Sequence, residues 1–283
     1  MNQKIDLHSH SNCSDGALSP VDLVRRALDK GVQALALTDH DTTVGLAEAT
    51  IEATQAGLTL VPGIELSCQW GGATVHVLGL GIDARSPVMV SAVAHQNSVR
   101  AGRAEIIAEK LAKKHNMPGL LEGIDEFSGQ AIPARPHFAK KMVAMGYVGS
   151  VREAFNGYLG SGKTGDVKAG WPEVSELCEW INGSGGVAVI AHPRKYNFTL
   201  TKLRRLFDEF KSVGGRGIEV SVGGQKQGET GLLADLCRRY GFLASAGSDF
   251  HSPGLPWCEL GNFPRLPDNM QTVASCLELN EVW

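Results

Sequence analysis

The chain has 283 residues, of which 43% are hydrophobic and 20% charged, with a formal net charge of −3. That length buries a large core, and the charge excludes the global positive field that long duplex nucleic acid requires. Six cysteines lie far apart with no CxxC pair, and no apolar run approaches a membrane span. The expectation is a cytoplasmic protein with reduced thiols, no membrane attachment and no evident obligate protein partner.

The first segment, "KIDLHSHSNCSDG", predicts a strand over 4–8 that places His8 and His10 on one face, two residues apart. "SPVDLVRRALDKG" predicts a helix capped by Ser19, begun by Pro20 and ended at Gly31. A strand over 33–38 follows, with His40 just beyond it in "ALTDHD", then a helix over 42–56. The strand over 58–66 carries Glu65 near its end, and the next, over 74–81, carries His76. Between them Gly71-Gly72 reads as a two-residue hairpin loop, which forces antiparallel pairing. In that register Trp70 faces Ala73, Ser67 faces His76, and Glu65 is a diagonal neighbour of His76.

From 86 to 171 no strand is expected; helices over 94–116, 135–146 and 150–160 are, followed by the Gly- and Lys-rich loop "SGKTGDVKAGWP". The rhythm of strands and helices then resumes: helix 173–183, strand 187–191 leading to His192, helix 199–213, strand 217–221, helix 228–240 and strand 243–247. "SAGSDFH" follows that last strand and repeats the i, i+2 spacing with Asp249 and His251. Most strands are short apolar runs, as expected when both faces are covered. The organisation is α/β: a body made of 1–85 and 172–283, and a helical insertion over 86–171 that covers the site and selects substrate.

Strand ends of one polarity converge in a parallel α/β barrel. His8, His10, His40, Glu65, His192, Asp249 and His251 fall there, His76 joins through the hairpin, and Asp15 folds back from the first loop. A single strand-end histidine is commonly a hydrogen-bonded structural residue. Six such elements in one chain point to metal. Nine ligands suit two or three divalent ions with a bridging carboxylate, and an all-N/O donor set favours Mn²⁺, with Fe²⁺ or Zn²⁺ as alternatives. His95 and His115 sit on the long helix and are expected to be solvated.

"DLHSHSNCSDG", "LTDHD", "GIELS", "VHVLG", "AHP" and "GSDFH" together resemble the PHP family, named for polymerase and histidinol phosphatase. The resemblance implies a distorted (β/α)7 barrel (the PHP barrel), a trinuclear site and phosphoester hydrolysis. It also implies a partition of ligands. One ion takes His8, His10, Glu65 and Asp249; a second shares Glu65 and takes His76 and His192; a third takes Asp15, His40 and His251. "GKTGDV", "RPHFA" and "AHPRKYN" resemble the stand-alone bacterial TrpH-like branch. That likeness implies removal of the 3′-phosphate from nucleoside 3′,5′-bisphosphates and 5′→3′ exonuclease action on short or single-stranded 5′-phosphorylated RNA, including rRNA 5′ ends. The rival readings are a histidinol phosphate phosphatase, a 3′→5′ exonuclease, and a nucleotide-binding module with a vestigial metal site.

Hydrolysis needs a base, for which Asp249 stands beside the metals, and a donor for the leaving oxygen, for which His137 in the insertion is the candidate. Substrate phosphate needs cations. Arg100 and Arg103 share a helix face, Arg135 precedes a proline on an extended loop, Lys163 sits among glycines, and Arg194 and Lys195 directly follow the ligand His192.

Overall fold

The structure, a computed structural model, describes residues 4–168 and 170–279; residues 1–3, 169 and 280–283 of the expected body and insertion lie outside the described residues. Seven strands form one sheet in chain order: β1 (Lys4–Asp6), β2 (Val32–Leu37), β3 (Thr59–Trp70), β4 (Ala73–Leu80), β5 (Val187–Ile190), β6 (Gly217–Val222) and β7 (Leu243–Gly247). Pairing is parallel except that β4 runs antiparallel to both β3 and β5. The hairpin has the expected register, Trp70 opposite Ala73 and Ser67 opposite His76. Gly71 and Gly72 have φ of 54° and 78°, the left-handed pair that a tight primed turn demands and side chains resist.

Helices α1 (Pro20–Asp29) and α2 (Leu46–Ala56) bury Leu23, Val24, Ala27 and Ala53 with Leu35 and Leu37 of β2. The hydroxyl of Ser19 accepts the N–H of Asp22, and Pro20 begins α1, as the sequence predicts. Helix α3 (Pro87–His115) starts earlier than expected, because Ser86 caps it by accepting the N–H of Met89 and Pro87 opens it. The short α4 (Asp125–Ser128) was not expected; α5 (Arg135–Ala144) was. The segment expected as a helix over 150–160 is α6 (Val151–Ala154) continuing into a π turn, Phe155–Leu159. From Ala104 to Val167 these elements share an apolar cluster of their own around Ile107, Leu111, Phe138, Met142 and Leu159.

Helices α7 (Val174–Gly183), α8 (Leu200–Ser212) and α9 (Glu229–Tyr240) cover the second half of the sheet, burying Leu177, Ile181, Phe207, Phe210 and Leu233 against Val75, Val77, Ile190 and Val220. A last short helix, α10 (Val273–Cys276), packs Val273 and Ala274 against Val187 and Val189. Hydrogen bonds also link the two ends of the sheet order. The N–H of Leu7 donates to Ala246 and that of His10 to Phe250, while Asp249 donates back to His8. Among the described residues no helix is long and apolar enough to cross a membrane.

Candidate functional site

Nine side chains from six chain segments meet at the end of this sheet. β1 stops at Asp6, short of the expected 4–8, so His8 as well as His10 lies beyond the strand. The hydrogen bonds from Leu7 to Ala246 and from His10 to Phe250 nevertheless hold this segment against the last strand, and the Nε2 atoms of His8 and His10 stand 3.0 Å apart. His8 Nε2 lies 3.3 Å from Glu65 Oε2 and 3.4 Å from Asp249 Oδ1, and His10 Nε2 lies 3.3 Å from each of the same two atoms. A tetrahedral ion with bonds of about 2.0–2.1 Å separates its ligand atoms by about 3.3 Å, so these spacings suit ligation, and His8, His10 and Asp249 present atoms that could hold one ion together.

Glu65 is fully buried and reaches further. Its Oε1 lies 3.0 Å from His76 Nδ1 and 2.9 Å from His192 Nε2, and its Oε2 lies 3.1 Å from His40 Nδ1. Asp15 Oδ1 is 3.3 Å from His251 Nε2, and Asp15 Oδ2 is 3.9 Å from His40 Nε2. His10, Asp15, His40 and His251 present atoms that could hold one ion together. All nine expected ligands are therefore brought together. Glu65 Oε2, Asp15 Oδ1 and His40 Nδ1 are buried without a hydrogen-bond partner. Such groups are costly unless something else binds them, and clustered imidazole and carboxylate donors fit divalent ions.

The electrostatics agree. Burial alone would raise the pKa of Glu65, but the imidazoles of His40, His8 and His76 hold it well below the usual carboxylate range. Burial likewise opposes ionisation of Asp249, and Lys195, His8, His10 and His251 outweigh it. Burial first, then the neighbouring His251, push His10 down to about 4. The cluster is thus built to hold carboxylates ionised and some imidazoles neutral, the forms that ligate metal.

Sequence reasoning missed Glu219, a buried carboxylate inside the apolar strand β6. Its Oε1 accepts from His8 Nδ1 at 2.9 Å and its Oε2 accepts the N–H of His192 at 2.6 Å. The signal was present: a charge within "GIEVSV" has no solvent to face. Asp41 was also missed. It accepts from Ser67, Gln96 and Arg100, tying α3 to the segment that carries His40. The backbone at Asp41, His192 and Asp249 is left-handed, with φ of 55°, 29° and 53°.

A cavity of about 680 Å³ opens beside Asp15 and His40, with Arg100, His137 and Lys140 among its lining residues. The expected cations separate into groups. Arg100 lines the cavity while its Nε donates to Asp41 at 2.6 Å. Arg103 does not line the cavity: its Nε donates to the carbonyl of Val167 and its guanidinium lies 5.2 Å over the Trp171 ring, a structural commitment. Arg135 opens α5 behind the N-cap Ala134 rather than lying on the expected extended loop; it donates to the carbonyl of Leu159 and lies 3.7 Å from Asp166. Lys163 is exposed and does not line the cavity either. Its glycine-rich loop folds on itself, with Gly162 donating to Asp166 and Gly165 to Tyr158. Arg194 pairs with Glu229 at 3.2 Å, and Lys195 pairs with Asp249.

His137 is buried, and its Nδ1 accepts the N–H of Ala134, so the proton of the neutral ring sits on Nε2. His95 is exposed as expected, but His115 is half-buried and bonded to Thr164.

Comparison with known proteins places these residues in context. The family described as PHP domain matches residues 6–181. The chain is 42% identical to the 5′-3′ exoribonuclease Rnm of Escherichia coli, over 95% of this chain and 92% of that one. It is 40% identical to a 3′,5′-nucleoside bisphosphate phosphatase of Chromobacterium violaceum, over 93% and 92%. A solved amidohydrolase from Chromobacterium violaceum, with bound sulfate and no metal, superposes with a TM-score of 0.88 at 38% identity, covering 97% of this chain and 96% of that one.

Proposed function

The chain belongs to the PHP domain family, and from that premise we propose that it hydrolyses the 3′-phosphoester of 5′-phosphorylated nucleotides. Its substrates are then nucleoside 3′,5′-bisphosphates, releasing phosphate, and short 5′-phosphorylated RNA, digested 5′→3′. The observation that carries this reading is the position of the cavity. Arg100, His137 and Lys140 face a space that ends at the ligands Asp15 and His40, so an anionic nucleotide held there presents its next phosphoester to the cluster.

The nine-ligand set suits two or three divalent ions, with Mn²⁺ as our assignment. On the family resemblance, His8, His10, Glu65 and Asp249 would hold one, Glu65, His76 and His192 a second, and Asp15, His40 and His251 a third; the geometry supports overlapping sets, His8, His10 and Asp249 among them and His10 beside Asp15, His40 and His251. When bound, the ions supply Lewis acidity toward phosphate oxygens and lower the pKa of water. In the reaction a water oxygen bonds to phosphorus, the bond from phosphorus to the 3′-oxygen breaks, and a proton ends on that oxygen. Asp249, ionised and steadied by Lys195, is our proton acceptor. Burial, against a smaller opposing effect of Asp15, pushes His137 down to about 4. At neutral pH it therefore acts on substrate through its neutral Nε2–H, as a hydrogen-bond donor rather than an imidazolium acid.

Residues 86–171 serve as a cap, which the separate apolar cluster from Ala104 to Val167 supports. The sheet is best read as a distorted (β/α)7 barrel, on the support of the hydrogen bonds between the first and last strand segments. Six free cysteines suit the cytoplasm. The test is turnover by Mn²⁺-reconstituted protein of adenosine 3′,5′-bisphosphate and of a short 5′-phosphorylated RNA, both lost in Asp249→Asn. Hydrolysis of histidinol phosphate with neither nucleotide consumed would overturn the assignment.

A further inference from the structure

The cavity occupies one rim of the metal cluster. A second rim, beyond Asp249, has a different character. The strands β6 and β7 end together there, and the N–H of Gly223 donates to the carbonyl of Gly247 at 3.1 Å. The 3-10 turn Pro256–Cys258 packs on the loop after β6. A Cβ built on Gly223 would stand 3.1 Å from Cys258 Cα, and one built on Gly224 would stand 3.1 Å from Trp257 Cδ1. Beyond the effect of burial, the charges of Lys195 and Asp249 both act on the Cys258 thiol, so this turn stands close to the ion pair at the cluster.

Trp257 is 58% exposed, and among the described residues it is the one phenylalanine, tyrosine or tryptophan with an exposed side chain. Cations lie on the segments next to it. The Lys195 side chain is 45% exposed, and Lys226 is exposed on the same loop as Gly224. Arg194 meets that loop through Glu229, whose second oxygen accepts the N–H of Lys226. None of Lys195, Gly224, Lys226 and Trp257 lines the cavity on the other rim. An exposed indole flanked by lysines is the composition of a single-strand nucleic-acid surface, where bases stack and phosphates pair.

We propose that Trp257 is the stacking platform for the nucleobase that follows the scissile phosphate of an RNA substrate, with Lys195 and Lys226 beside its backbone. The inference rests on the exoribonuclease reading above. With the 5′ nucleotide in the cavity and its phosphoester at the cluster, the remaining strand leaves past Asp249, across this rim. An indole face accepts every base, which suits digestion without sequence preference. A free nucleoside 3′,5′-bisphosphate ends at its scissile phosphate and has no base to place there.

The experiment compares Trp257→Ala and Trp257→Phe in the metal-reconstituted full chain. It measures kcat/KM on a 5′-phosphorylated trinucleotide and on adenosine 3′,5′-bisphosphate. The alanine variant should lower the ratio of the two by on the order of tenfold, through KM for RNA, and the phenylalanine variant should recover most of it. An unchanged ratio, or equal losses on both substrates, would overturn the proposal. If the unsubstituted protein consumes the bisphosphate but not RNA, the exoribonuclease reading fails on its own and takes the Trp257 assignment with it.

Discussion

Glu219 Oε1 lies 2.9 Å from His8 Nδ1, while its Oε2 receives the backbone N–H of His192 at 2.6 Å. One buried carboxylate therefore sets the ring of one histidine of the cluster and the backbone of another. With Nδ1 of His8 donating, its Nε2 lone pair points into the cluster, the orientation that metal binding needs.

Replacing Glu219 with Gln tests this arrangement. The amide can offer an acceptor to only one of its two partners, and its NH₂ group would favour the wrong His8 tautomer. Affinity for Mn²⁺, measured by calorimetry, should fall about 10–100-fold while the circular dichroism spectrum is retained. Unaltered affinity would show that His8 needs no partner behind it.

Glu65 is the shared member of the cluster, within 3.3 Å of five imidazoles. Glu65→Gln keeps its shape and removes its charge. Metal content by elemental analysis should drop at more than one position, and turnover should fall by more than about 100-fold, the upper range for outer partners alone. Loss of a single ion with turnover retained would contradict a bridging role.

His137 gives a pH prediction. Burial, chiefly, takes its pKa from the usual 6.5 to about 4 in the folded chain. Between those values the unfolded chain binds more protons, so this group adds stability as pH rises from 4 to 6.5 and nothing further above it. NMR should show the ring neutral, protonated on Nε2, from pH 5.5 to 8. His137→Ala should lower turnover without moving the alkaline limb of the pH–rate profile. A shift of that limb would restore the imidazolium acid.

The two arginines on α3 divide by role. Arg100→Lys should raise KM for the bisphosphate about tenfold, because a lysine cannot hold Asp41 and a phosphate together. Arg103→Lys should instead lower the melting temperature, losing a buried hydrogen bond worth about 1–3 kcal/mol and the stack on Trp171. A KM effect from Arg103→Lys as large as that from Arg100→Lys would return Arg103 to the substrate site.

The seven strands were legible because most are short apolar runs between turn signals, although β3 runs on to Trp70, past the expected 66, and the hairpin register followed from two glycines. The convergence of the nine side chains was legible for a related reason: a strand end is a position that sequence can mark. Glu219 carries no such positional mark, because it lies inside β6 and works through its neighbours. Arg103 and Lys163 stand away from the cavity; sequence gives a cation's address but not its partner. Val167, Trp171 and the self-folded glycine loop decide those cases. The early start of α3 was written in Ser86-Pro87 and overlooked in favour of the helical stretch after it.

His192 and Asp249 hold left-handed backbones with side chains that glycine would have to surrender. Each conformation is disfavoured in isolation, so the surrounding contacts must restrain it. The consequence is one of time rather than of affinity. A departing ion would remove one restraint from both segments, leaving the bonds of His192 to Glu219 and of Asp249 to His8 to hold them, and an arriving ion must find them still in place. Exchange of bound for free metal should therefore be gated by these two peptide segments. Their amides should lose protection against hydrogen exchange before any strand of the sheet does when the protein is stripped with a chelator.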